Sequence, residues 1–143
     1  MQLREIMTPQ VEVIAPNAGL AEGAKKMRDL DVGAIPVCDG DRLRGMLTDR
    51  DIAIRAVAEG LDPEATHVSE VMTPEVVFGF EDQRVEEAAK LMEEKQIRRL
   101  PVLDREKRLV GIVSLADVSV KTKNNKLKAK VVKGVSEPAE PRH

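Results

Sequence analysis

The chain has 143 residues, which allows one compact domain or two very small ones. Apolar residues make up 42% and aromatics 1%, so the core must be aliphatic and no flat ligand can rest on stacked rings. The formal net charge of -2 conceals a basic end, seven Lys/Arg against two Glu over residues 121–143, on an acidic body whose sign disfavours bulk nucleic-acid binding.

After Met7-Thr8-Pro9 comes a short apolar run, Val11, Val13 and Ile14, which reads as a strand. Pro16-Asn17-Ala18-Gly19 breaks it. A helical period follows, with Leu20, Ala24, Met27 and Leu30 on one face. Ala34-Ile35-Pro36-Val37-Cys38 reads as a short buried strand, and Asp39-Gly40-Asp41 as a turn. A third strand spans Leu43 to Leu47. A helix starts at Thr48, shows Ile52, Ile54 and Val57, and ends near Gly60. Gly60-Leu61-Asp62-Pro63-Glu64 is a joint too short to let the flanking segments drift apart.

The order then repeats. Met72-Thr73-Pro74 follows Met7-Thr8-Pro9 by 65 positions, and Leu100-Pro101-Val102 follows Ile35-Pro36-Val37 by the same interval. Val76, Val77 and Phe78 give a second apolar run. Val85, Ala88, Ala89 and Met92 give a second helical face. Leu100 to Leu103 and Leu109 to Val113 give two more strands, and a helix opens at Ser114. The chain is therefore β-α-β-β-α twice. Units too small for a good core of their own are expected to pack together, with function at their mutual cleft. In the basic end, Leu127, Val131 and Val132 suit a short helix or a partner contact, and the last ten residues read as disordered.

The sharpest motif is Gly-apolar-apolar-Thr/Ser-x-x-Asp: Gly45 to Thr48 and Asp51, then Gly111 to Ser114 and Asp117. One reading is structural. A hydroxyl opening a helix, with an acid three residues on, is a capping box contributing roughly 1 kcal/mol. The other is a ligand site. A helix start suits a phosphate, the hydroxyl adds a donor, and the carboxylate can accept both hydroxyls of a ribose. The glycine would let a ligand approach the strand. The two readings are compatible.

These pieces in register, from about Ile6 to Val118, resemble a pair of CBS domains, also called a Bateman module, of the stand-alone bacterial type that includes hypoxic-response proteins. They are Ile6-Met7-Thr8-Pro9, Gly33-Ala34-Ile35-Pro36-Val37 and Gly45 through Asp51, with Val71-Met72-Thr73-Pro74, Ile97 through Asp104 and Leu109 through Asp117. The resemblance implies an α/β (α+β) fold of two β-α-β-β-α units packed about a pseudo-twofold axis. It divides the chain into a first CBS domain (1–60), a linker (61–67), a second CBS domain (68–120) and a basic, partly disordered tail (121–143). It implies a homodimer and adenosine ligands in the clefts: AMP, ADP, ATP, S-adenosylmethionine, NAD or cyclic di-AMP. By position, Asp51 and Asp117 would hold ribose hydroxyls, and Thr48 and Ser114 would contact phosphate. Ala34, Ile35, Pro36, Arg99, Leu100 and Pro101 would flank the adenine, while the strand starts around Val11 and Val76 would close the base pocket. Arg50 in the first copy, and Arg98 with Arg99 in the second, can reach phosphate, so the clefts are unequal. The second suits a phosphorylated ligand slightly better.

Other constellations are weak. One cysteine, Cys38, excludes an internal disulfide and fits a reducing compartment. With His67 and His143 remote from it, neither a metal site nor a Cys–His nucleophile is expected. Cys38 and the recurring Met residues read as core. No stretch nears the roughly 20 apolar residues of a membrane span, and no apolar run behind the N-terminus suggests a signal peptide. The expectation is a cytoplasmic, non-enzymatic nucleotide sensor, without membrane or nucleic-acid partners and with no obligatory cofactor. The alternative is a structural dimer with vestigial clefts that docks an unidentified protein.

Overall fold

A computed structural model of the protein describes residues 1–121. The expected helix around Leu127, Val131 and Val132 lies outside the described residues, as does His143. Helices and strands are mixed, and they form two compact units: Glu12–Val76, and Met1–Val11 with the described residues from Val77 onward.

In the unit of Glu12–Val76, helix α1 (Leu20–Leu30) precedes strands β2 (Ala34–Asp39) and β3 (Arg42–Thr48). A short helix α2 (Asp49–Asp51) runs on as a π-helical turn over Ile52–Val57. A 3-10 turn (Val68–Glu70) leads to β4 (Thr73–Pro74). The sheet order is β2-β3-β4. Leu20, Met27, Ile35, Val37, Leu47, Ala56, Val68 and Val71 form its core. The joint after Gly60 folds onto the start of α1, where Leu20 and Ala21 N–H donate to the Thr66 and Pro63 carbonyls.

The other unit begins with a 3-10 turn (Leu3–Glu5) and β1 (Thr8–Pro9). It continues with β5 (Gly79–Phe80), α3 (Val85–Lys95), β6 (Arg99–Leu103), β7 (Leu109–Ser114) and α4 (Leu115–Lys121). Its sheet order is β1-β7-β6-β5, with β5 parallel to β6 and the other pairs antiparallel. Val85, Ala88, Ala89 and Met92 line the buried face of α3, as their spacing predicts, against Leu3, Ile6, Leu100, Val102 and Val113. Each short Met-Thr-Pro strand thus pairs with the Gly-bearing strand of the other repeat: Thr8 opposite Ile112, and Thr73 opposite Met46.

Three local expectations are corrected. Val11 to Ile14 form no strand; only Ile14 bridges, to Val37, and in the second copy pairing starts at Gly79, beyond Val76 to Phe78. On α1, Gly23 is buried and Ala24 exposed, because Leu47 and Val68 pack directly over the glycine. Leu30 is 40% exposed. The π turn alters the helical phase after Thr48, so Ala56 is buried while Ile54 and Val57 are 47% and 71% exposed.

Both main helices end on a non-glycine residue in the left-handed region, Asp31 at φ 54° and Gln96 at φ 53°, whose N–H closes the last turn. At the β6–β7 turn, buried Asp104 accepts from the Glu106 and Arg108 amides and from Arg108 Nε, the last at 2.8 Å. The Arg108 backbone amide, then its guanidinium, holds that carboxyl below its usual range.

Candidate functional site

Antiparallel register sets Ala34 opposite Thr48, Ile35 opposite Leu47, and Pro36 opposite Met46. Thr48 is extended (φ -117°, ψ 160°) and opens the helix. Its Oγ accepts from the Asp51 N–H at 3.0 Å, and Asp51 Oδ2 accepts from the Thr48 N–H at 3.1 Å. The capping box that the spacing predicts is therefore formed.

Asp51 does more than cap. The Thr73 hydroxyl donates across its carboxylate, 3.1 Å from Oδ1 and 3.4 Å from Oδ2. Arg55 Nε lies 3.8 Å from Oδ1, and Arg55 Nη1 donates to the Met72 carbonyl at 3.1 Å. Asp51 is only 7% exposed, and its charge is met from several sides. Thr73 and Arg55 were not among the expected site residues. The available signal was the hydroxyl inside both Met-Thr-Pro landmarks.

In the other unit, Arg99 stands opposite Ser114, Leu100 opposite Val113, and Pro101 opposite Ile112. Ser114 Oγ accepts from the Asp117 N–H at 3.0 Å, and Asp117 Oδ2 accepts from the Ser114 N–H at 2.8 Å. The same cap is built twice, but Asp117 is half-buried where Asp51 is buried. Arg98, Arg99 and Arg50 are exposed, and the Arg98 carbonyl accepts from Leu115 N–H at 2.8 Å.

Ile35 and Leu100 are 1% and 0% exposed and belong to the two cores, so what they can offer a base is backbone. Pro36 and Pro101 are buried too, and Ala34 is half-buried. Val76 shares a unit with Thr48 and Asp51; Val11 shares one with Ser114 and Asp117. The motif glycines have a different neighbour from the one expected. A Cβ on Gly45 would strike the Thr73 carbonyl oxygen, and one on Gly111 would lie 2.8 Å from the Thr8 carbonyl oxygen. These glycines admit the Met-Thr-Pro strands.

Cys38 is buried in β2, and burial, then the Asp41 carboxylate, pushes its thiol up to about 11. Its thiolate fraction at pH 8 is lower than that of an ordinary thiol by roughly a hundredfold. Iodoacetamide is expected to label Cys38 only after denaturation; labelling of the native protein at a free-thiol rate would contradict its placement.

The comparisons agree with this architecture. The model for the CBS domain matches residues 3–57 and 68–121. CBS domain-containing protein YhcV of Bacillus subtilis is 44% identical, over 94% of each chain. Hypoxic response protein 1 of Mycobacterium tuberculosis is 43% identical, over 81% of each. The crystal structure of Hypoxic Response Protein I, with two coordinated zinc ions, superposes with a TM-score of 0.76 at 41% identity, covering 83% of this chain and 97% of that one. The CBS domain pair of protein MJ0100, in complex with 5-methylthioadenosine and S-adenosyl-L-methionine, gives 0.69 at 30% identity over 83% and 93%. CBSX2 in complex with AMP gives 0.70 at 25% identity over 82% and 92%.

Among the described residues, zinc finds no matching donor set: no three of His, Cys, Asp and Glu gather as a metal-holding group. Among the same residues, no helix is long and apolar enough to cross a membrane. Register, caps and both matched segments lead to one assignment: the chain belongs to the CBS-domain family, as a pair of CBS domains.

Proposed function

We propose that this chain is a cytoplasmic sensor of an adenosine-containing molecule, with AMP, ADP or ATP foremost and S-adenosylmethionine or NAD as further candidates. CBS pairs are regulatory. In this reading the protein is no enzyme; ligand binding biases an equilibrium between arrangements of a homodimer, through different affinities for each. The observation that carries the reading is the doubled cap, in which a hydroxyl and a carboxylate meet at a strand end, Thr48 with Asp51 and Ser114 with Asp117. A carboxylate takes a ribose diol, and hydroxyl and helix-start amides suit the phosphate that follows. Arg50, Arg98 and Arg99 are exposed cations at the phosphate end, and Ala34, Pro36, Pro101, Val11 and Val76 flank the base. The MJ0100 pair, bound to adenosine derivatives, and CBSX2, bound to AMP, support the ligand class. Ile54, Val57 and Leu61, which are 47%, 71% and 40% exposed, offer apolar surface to a second copy.

The test is a calorimetric and thermal-shift panel of AMP, ADP, ATP, S-adenosylmethionine, NADH and cyclic di-AMP, with sedimentation to read the dimer. At least one adenosine ligand is expected to bind. Asp117→Asn should weaken it by roughly tenfold or more, the worth of a hydrogen bond to a charged group. Silence across the whole panel would sink the proposal.

A further inference from the structure

We propose that Thr73 sets the binding threshold of the Asp51 site, because its hydroxyl already occupies the place on the carboxylate that a ribose diol would take. The inference rests on the ligand reading above and concerns what that ligand must displace. Thr73 Oγ reaches both oxygens of Asp51, at 3.1 and 3.4 Å. The Thr48 amide holds Oδ2 at 3.1 Å, and Arg55 stands 3.8 Å from Oδ1. Asp51 is 7% exposed, so its lone pairs have little water to exchange. An incoming diol finds the Thr48 amide fixed by the cap and Arg55 anchored on the Met72 carbonyl. The Thr73 hydroxyl is the donor that a rotation about one side-chain bond can remove.

This exchange discriminates between sugars. A diol brings two donors and displaces one. A single hydroxyl replaces Thr73 one for one and gains nothing. Thr73 also lies in β4, whose partner β3 ends in Thr48. Displacing its hydroxyl therefore removes a tie between the helix cap and the β4 strand.

The experiment measures AMP and 2′-deoxy-AMP binding by calorimetry on the full chain, with Ser114 and Asp117 left intact. Thr73→Val should bind AMP more tightly by roughly tenfold at one of the sites, about the worth of the hydrogen bond no longer broken. 2′-Deoxy-AMP, which has the same hydroxyl to displace, should gain by about the same factor and bind where the parent gives it no net contact. Thr73→Ser keeps the hydroxyl and should behave as the parent. Asp51→Asn retains an acceptor for the cap but cannot receive two hydroxyls, and should abolish the gain when combined with Thr73→Val. In the parent protein, the Thr73 methyl NMR signal should move on adding AMP, a readout that needs no variant to fold. If Asp51→Asn weakens AMP while Thr73→Val binds no better, or if the methyl signal stays still, the displacement idea fails and the ligand reading stands. If Asp51→Asn leaves AMP binding untouched, or AMP does not bind while another adenosine ligand of the panel does, the displacement idea falls alone; if nothing in the panel binds, both fall.

Discussion

Gly45→Ala is expected to destabilise the protein by about 3 kcal/mol, near the upper end of ordinary overpacking costs. The cause is backbone meeting backbone. The added carbon would strike the Thr73 carbonyl oxygen and would also lie 3.1 Å from Met72 Sδ. Methionine can bend aside, but the carbonyl belongs to β4, whose Pro74 is paired with Gly45 itself. Relief requires β4 to lift from β3, which also draws the Thr73 hydroxyl off Asp51. Gly111→Ala poses the same problem more mildly. Its nearest atom is the flexible Met7 Sδ at 2.7 Å, with the Thr8 carbonyl oxygen at 2.8 Å, so about 2 kcal/mol is expected. Gly19→Ala, which meets nothing within 4 Å, is the control. Urea unfolding followed by circular dichroism reads all three. A Gly45→Ala midpoint matching that of Gly19→Ala would remove the close-packing account of the motif glycine and return it to the ligand.

That glycine shows where sequence reasoning stops. The motif, its period and its placement at a strand end are legible, because the apolar run, the turn and the helix cap are local chemistry. So are β2, β3, β6 and β7, whose apolar runs end at turn signals, and the α3 face, whose Val, Ala and Met spacing has only one helical solution. What lies over Gly45 is not legible, since it comes from 28 residues away: Thr73. The same non-local choice takes Thr8-Pro9 to β7 and Thr73-Pro74 to β3, so each compact unit completes its sheet with the short strand of the other repeat. Apolar runs at Val11–Ile14 and Val76–Phe78 have strand composition, but composition does not supply a partner. Gly23 was missed because a glycine adds nothing to an apolar period, although it is the position that lets Leu47 approach α1. In the site, the two caps were legible and their inequality was not. The burial of Asp51 depends on Thr73 and Arg55, one of them outside the motif by 22 residues.

That inequality makes Asp51→Ala the most costly single change expected at the site, about 3 kcal/mol out of a typical total of roughly 5–15. Loss of the cap accounts for about 1 kcal/mol. The remainder comes from donors left behind: the Thr48 amide, the Thr73 hydroxyl and the Arg55 guanidinium all point at a carboxylate that is no longer there. A stranded buried donor costs about 1–3 kcal/mol, although half-exposed Arg55 can turn to water and lowers the sum. Asp117→Ala removes the same cap from a half-buried carboxylate and should cost less, since groups left around a half-buried position can turn to water. The order of the two variants is therefore the decisive quantity, and their melting curves without ligand give it directly. A larger loss at Asp117 than at Asp51 would contradict the Thr73–Arg55 clasp.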